Sequence, residues 1–404
     1  MAASLFIAGS PAASAALNVP KSPWPVCNSA RTTYCVDSVS VTTATGTSLA
    51  LTWVADGQAL VNPDTSTALS GDTSTAQSDT ATVAATVATG RAITGRWTSL
   101  DWATSGLNSL GYDGLYVEAK TANEFVNHIF IDALPTITTA SNKVNLATQL
   151  NNSKYAANLD SDITISVTVK TGEIKPGVLV GVGTNFVGDF TSAGGASTVK
   201  FSGSPVTVPL ATKSSDCSGE TGVAKATVRQ LQAIIFLNNE GQSAFGVEGT
   251  SGDMVVSSNG VCDLSTPVWN AEAKEFSWVA AAPHFAPDGT TLNYGFYKAI
   301  IPAVDAKLLW GLDNVNDAVK ALSVQVSTVE GGTSSAVATV GVKSGKIIID
   351  ISGFQYSRPK LKVGLKKSWK QSMLNKTTIT CTRGMSVKKI TALKPICPKG
   401  YKKQ

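Results

Sequence analysis

His284 and Asp288 stand four residues apart in the segment Ala282-Pro-His284-Phe-Ala-Pro-Asp288-Gly289-Thr-Thr-Leu-Asn-Tyr294-Gly-Phe-Tyr297. An imidazole near a carboxylate is the pairing a general base uses, and the Tyr and Phe side chains beside it could floor a ligand pocket. The same residues also make a turn: Pro287 sets φ, Asp288 bonds its own backbone and Gly289 accepts positive φ. On that reading His284 is a hydrogen-bonded structural residue. Trp97 and Trp102 bracket a Ser/Asp turn, and Trp269 and Trp278 bracket another. Exposed indoles of this kind stack on sugar rings, which makes carbohydrate a candidate ligand; buried, they are ordinary core.

Other chemistry is thinly represented. Asp160-Ser-Asp162 and Asp313-Asn-Val-Asn316-Asp317 offer oxygen ligands of the type calcium takes, but without the spacing of a calcium loop, and turn or cap chemistry explains them equally well. There is no G-x-S-x-G elbow, no H-E-x-x-H, no Walker A loop and no G-x-G-x-x-G. No cofactor and no metal are therefore expected. Paired carboxylates for glycoside hydrolysis meet only in space, so one sequence does not reveal them.

Six cysteines fall as three sequence-local pairs, Cys27 with Cys35, Cys217 with Cys262 and Cys381 with Cys397. Local closure is the simplest of about fifteen connectivities, and an even count points to disulfides and an oxidising compartment. No C-x-x-C occurs, and only His128 and His284 are available to join a metal site.

From Arg358 onward there are fourteen Lys and Arg and no Asp or Glu, whereas the preceding residues carry nineteen cations against 28 carboxylates. A block of like charge repels itself and seeks a polyanion. Lys366, Lys367, Lys370, Arg383, Lys388, Lys389, Lys394, Lys399, Lys402 and Lys403 are the candidates for binding an anionic envelope polymer or lipid headgroups. Nucleic acid is not expected as a partner, because aromatic stacking residues are not interleaved with the charges. Thr377-Thr-Ile-Thr-Cys381 and Val387-Lys-Lys-Ile-Thr391 flank Arg383-Gly384-Met385, the pattern of a hairpin that a Cys381–Cys397 bridge would staple.

Thr378-Ile-Thr-Cys381, Gly384, Lys388-Lys389-Ile-Thr391 and Lys394-Pro-Ile-Cys397-Pro-Lys-Gly-Tyr401-Lys-Lys together resemble a short Cys-paired, Lys-rich terminal module of exported actinobacterial proteins. The resemblance covers about thirty residues and implies location rather than activity. The 282–297 block is similar only to stretches of uncharacterised exported actinobacterial proteins, which lends it no activity.

The elements that must hold these residues are strands. Asp162-Ile-Thr-Ile-Ser-Val-Thr-Val169 alternates over eight residues, and Val39–Val41 with Leu49–Trp53 reads as a hairpin about Thr45-Gly46-Thr47. Further strands are expected at 83–97, 178–182, 199–208, 230–237, 253–257, 276–279, 322–326, 336–342 and 346–351, with one helix after Pro302 ending at Gly311. Residues 64–82 read as a polar loop, and 142–158 as a helical or linker stretch that makes the best domain boundary. No run approaches the ~20 apolar residues of a membrane-spanning helix.

Composition agrees: 43% hydrophobic and only 15% charged is that of an exported β protein. Leu5-Phe6-Ile7-Ala8 followed by Ala13-Ser14-Ala15 looks like the end of a signal peptide, without the basic n-region. The expectation is an all-β chain of antiparallel sandwich-like domains: a signal remnant at 1–15, a leader with the Cys27/Cys35 loop at 16–36, β domains at 37–150 and 151–357 that are separate or continuous, and a basic module at 358–404. Functionally, it reads as an extracellular or surface-associated binding or structural protein of non-enzymatic type; the alternative is a secreted hydrolase acting on polysaccharide.

Overall fold

The computed structural model describes residues 20, 23–60, 87–107, 111–121, 128–150, 159–174, 176–237, 244–264, 267–328, 336–356, 359–374, 377–384, 386–392 and 395–404. The signal-like segment, the 64–82 tract, Arg358 and Lys394 lie outside them. In chain order the strands are β1 (Cys35–Thr42), β2 (Ser48–Ala50), β3 (Thr52–Ala55), β4 (Val87–Ala92), β5 (Gly95–Thr98), β6 (Gly114–Thr121), β7 (His128–Thr138), β8 (Val144–Leu150), β9 (Thr164–Gly172), β10 (Pro176–Val182), β11 (Thr184–Ala193), β12 (Ala196–Ser204), β13 (Val206–Leu210) and β14 (Ala226–Leu237). They continue as β15 (Val255–Ser258), β16 (Asp263–Leu264), β17 (Val268–Asn270), β18 (Glu275–Ala281), β19 (Tyr294–Pro302), β20 (Leu322–Thr328), β21 (Val337–Lys343), β22 (Lys346–Gln355), β23 (Pro359–Leu365), β24 (Thr377–Arg383), β25 (Ser386–Ala392) and β26 (Lys402–Lys403). Among the described residues three α-helices accompany them, α1 (Ala303–Trp310), α2 (Ala318–Ala321) and α3 (Lys367–Leu374). The chain is all-β, with multiple antiparallel sheets.

Two sandwiches are stacked back to back. A sheet ordered β11-β12-β9-β1-β2 faces a larger one ordered β10-β14-β8-β7-β6-β5-β3. Between them lie Val39, Val41, Ile165, Val167 and Val169 from the first, and Leu115, Val117, Ile129, Ile131, Leu231 and Ile235 from the second. The second sandwich sets β15-β19-β22-β21 against β16-β18-β23-β20 around Trp278, Tyr297, Ile301, Ile347, Ile349, Ile351, Leu361 and Val363. The two inner sheets then meet through their outward faces: Phe130, Val178, Val180, Ile234 and Phe236 pack on Val255 and Ile300, with Ile348 alongside. Each such aliphatic side chain contributes roughly 1.5–3 kcal/mol on full burial, so this seam is a cohesive interface.

The stacking explains the sequence pattern. Outer strand β9 has one wet face and alternates strictly. Inner strands β14 and β19 are covered on both faces, so Ala233-Ile-Ile-Phe236 and Ala299-Ile-Ile301 run without a polar break, while β22 buries Ile347, Ile349 and Ile351 and leaves its other face half-buried.

Three expectations need correction. Residues 144–150 form strand β8 instead of a helical linker, and no boundary falls at 150: β1 pairs with β9 and β7 with β14, so strands on both sides of that point share one core. The sheets part after β14. The basic module does not begin at 358 either, because β23 is a central strand between β18 and β20, burying Leu361, Val363 and Leu365. Helix α3 continues onto the same core through Trp369. Only β25-β24-β26, from Thr377 on, form a sheet of their own.

Other expectations hold. The hairpin expected of Val39–Val41 with Leu49–Trp53 is present as far as Ala50, which stands opposite Ser40, while Thr52–Ala55 pairs with β5 in the facing sheet, and α1 stops at Gly311 in a left-handed conformation at φ 67°. All three cysteine pairs are disulfides, the chemistry of an oxidising compartment. Cys217 follows the last strand but one of the first sandwich and Cys262 lies in the second, so this bridge ties the two together. Among the described residues no helix is long and apolar enough to cross a membrane.

Candidate functional site

A cleft of about 890 Å³ opens along the seam between the sandwiches. One wall is Ser161, Thr184, Val206, Thr207, Thr227 and Arg229; the other is Asn259, Ser352, Gly353 and the 286–296 segment. The walls are locked together by Asn259. Its amide donates to the carbonyls of Thr207 (2.8 Å) and Tyr294 (3.0 Å), while its oxygen accepts from the Phe296 amide (2.7 Å) and the Tyr356 hydroxyl. Ser257 adds a bond to the Gly181 carbonyl at 3.2 Å. Beside the cleft, Phe285 joins the Gly222–Ala224 backbone through bonds of 2.8 and 2.9 Å. The Cys217–Cys262 bridge adds a covalent tie between the two sandwiches.

Within the cleft Tyr294 is the exposed aromatic, 54% accessible although it opens a strand that is otherwise buried. A bulge aims it outward. Tyr294 pairs with Gln355 and Gly295 with Phe354, but Phe296 pairs with Ser352, leaving Gly353 as the extra residue at φ 77°. Gly295 is required there, since a Cβ would fall 1.9 Å from the Phe354 ring. Arg229 donates to the Leu159 carbonyl at 2.8 Å and to the Thr207 hydroxyl at 3.3 Å. Burial pushes its pKa down, against the pull of the nearby Asp160 and Asp162 charges.

The residues singled out from sequence fare unequally. Asp288 lines the cleft, but its carboxylate is committed to its own turn: the Thr291 hydroxyl (2.5 Å) and the amides of Thr291 and Thr290 (both 2.8 Å) donate to it, holding its pKa down at about 2. Such a group stays ionised and is a poor proton carrier near neutral pH. His284 is 7% exposed, edge-on to Phe285, with its carbonyl accepting from Asn293.

The tryptophan expectation is overturned for most of its members. Trp97 and Trp102 are each 4% exposed, packed against Trp53 and Tyr112, and Trp278 stacks on Tyr297 inside the second core. Trp269 is half-buried against Phe276 and Trp310. Sugar faces are not available on buried rings. The acidic loops are structural as well: Asp160 accepts from the Tyr112 hydroxyl, Asn314 caps its own turn and Asp313 pairs with Lys307. Among the described residues no cluster of three or more His, Cys, Asp or Glu could hold a metal.

The basic residues divide into two sets. Lys366, Lys367 and Lys370 belong to the second sandwich, where Lys370 donates to the Ala273 carbonyl at 2.7 Å. The hairpin sheet carries Arg383, Lys388, Lys389, Lys399, Lys402 and Lys403, all exposed. Cross-strand register sorts them by face. Cys381 lies between Lys388 and Lys403, under the Cys397 bridge, with Lys388 5.0 Å over the Tyr401 ring. On the other face Thr378, Thr380 and Thr382 alternate along β24 beside Thr391, Lys389 and Lys402, a flat surface of hydroxyls and ammonium groups. No Asp or Glu occurs from Thr377 to the last residue.

Asn259, Tyr294 and Arg229 were not legible as a group, because their partnership is made by the seam. The one local signal was the Tyr294-Gly295 step beside the Asp288 turn. Comparison with family models, curated proteins and solved structures finds no match for the chain.

Proposed function

We propose that this is an exported, non-enzymatic binding or structural protein held at the cell surface by its C-terminal hairpin, which neutralises an anionic envelope polymer or lipid headgroups. One observation carries the reading: a separately stapled three-stranded sheet and its flanking chain present six described Lys and Arg from Arg383 to Lys403, in a segment whose sequence holds no Asp or Glu. Near an anionic surface each such cation contributes about 1 kcal/mol at low salt, and the sum fades as the screening length shrinks. The rigid stack of sandwiches supports a scaffold or receptor. Of the described residues that line the cleft, Asp288 alone is a carboxylate, whereas polysaccharide hydrolysis needs two in register.

Deleting residues 377–404 removes the hairpin sheet without touching β23. The truncated protein is expected to lose most of its attachment to isolated cell envelopes at low salt while unfolding at the same temperature as the full chain. Equal attachment of both forms overturns the proposal.

A further inference from the structure

We infer that the cleft between the two sandwiches binds a neutral oligosaccharide, with Tyr294 as the ring platform. This concerns the body of the protein and does not depend on the basic hairpin.

The lining dictates the ligand class. Ser161, Thr184, Thr207, Thr290 and Ser352 bring hydroxyls to the lining, groups that both donate and accept, the versatility that matches a polyol. Charge is balanced across the gap. Arg229 lies in the field of Asp160 and Asp162, and ionised Asp288 stands on the other wall. An anionic ligand would meet ionised Asp288 and a cationic one the Arg229 guanidinium, so a neutral chain is favoured over either. The volume falls within the roughly 300–1,000 Å³ of small-ligand sites.

Tyr294 supplies what the hydroxyls lack. A broad apolar face with a polar tip, about half exposed inside a concavity, suits a sugar ring that is apolar on its face and polar at its rim. The side chain is not left over from the core: the bulge at Gly353, the close packing of Gly295 on Phe354 and the Asn259 bond to the Tyr294 carbonyl fix its backbone. Such pre-organisation lowers the ordering cost of binding. A peptide is less well matched. Strand addition needs an open ladder edge, whereas the carbonyls of Thr207 and Tyr294 already accept from Asn259 and Pro205 has no N–H to give.

The test is calorimetric titration of the full-length protein with cellohexaose, xylohexaose, mannohexaose and maltohexaose. At least one is expected to bind, with an affinity that is about the same in low and high salt because no ion pair is made. Tyr294→Ala is expected to weaken it about tenfold or more, and Tyr294→Phe, which keeps the ring, to stay within about threefold of the parent. Converting Lys388, Lys389, Lys402 and Lys403 to Gln is expected to leave this binding unchanged, which separates its failure from failure of the surface-retention reading. Absence of binding by all four sugars, full affinity in folded Tyr294→Ala, or affinity that collapses with salt would each overturn the inference. So would saturable binding of an extended peptide that Tyr294→Ala abolishes when no sugar binds.

Discussion

Asp132→Asn should stabilise this protein at neutral pH. Asp132 on β7 stands directly opposite Glu118 on β6, both about 3% exposed. They share one cation, Lys120, whose Nζ is 2.5 Å from Glu118 and 4.0 Å from Asp132. Burial pushes the Asp132 carboxyl up to about 6, a rise that Lys120 and the 2.5 Å bond from Gln232 reduce and the Glu118 charge reinforces. The ordinary aspartate value is 3.8. The folded protein therefore binds a proton that the unfolded chain releases, and stability falls as pH rises from about 4 through about 6. Two pKa steps correspond to about 3 kcal/mol of penalty at pH 7. Asparagine keeps the shape and an acceptor for Gln232 but cannot ionise, so a gain of about 1–3 kcal/mol is expected at pH 7.5 and almost none at pH 4. Urea unfolding of parent and variant at the two pH values measures this. A variant less stable at pH 7.5, or one displaced equally at both, would refute the reasoning.

Further perturbations follow from the same architecture. Removing the Cys217–Cys262 bridge by paired Cys→Ala change frees a loop closed over 45 residues, and urea titration should show a loss of roughly 4 kcal/mol on the chain-entropy model. Gly295→Ala drives a methyl into the Phe354 ring, and thermal unfolding should register a loss of about 1–3 kcal/mol. A chain ending at residue 358 lacks the central strand β23, so its second sandwich should show no cooperative unfolding in calorimetry, whereas a chain ending at residue 376 should retain it.

Much of the fold was written in local pattern. The alternation of 162–169 and the turns at Gly46 and Gly311 act over a few residues, and the structure has a strand or a stop at each. What failed was non-local. Val144 and Leu146 look helical in isolation, yet strand pairing to β7 decides their conformation. The tail boundary failed because charge marks exposure and not membership: Lys360 and Lys362 sit on the outward face of β23, Lys362 paired with Glu275 at 3.0 Å, while Leu361 and Val363 face the core. Tryptophan type likewise says nothing of burial: Trp97 and Trp102, candidates for sugar stacking, are core, while Tyr294, one of the aromatic residues beside His284 that could floor a pocket, is the exposed ring. The seam was nevertheless announced by unbroken apolar runs such as Ala299-Ile-Ile301, which only a strand covered on both faces can carry without exposing large side chains.

Surface retention by the hairpin is tested most directly by sedimenting the full-length protein with vesicles of mixed anionic and zwitterionic lipid, and with isolated envelopes, across a salt series. The parent should bind steeply less as salt rises, and changing Lys388, Lys389, Lys402 and Lys403 together to Gln should cut low-salt affinity by roughly a hundredfold or more while leaving the unfolding temperature unchanged. Binding that ignores both salt and the four substitutions would contradict the account.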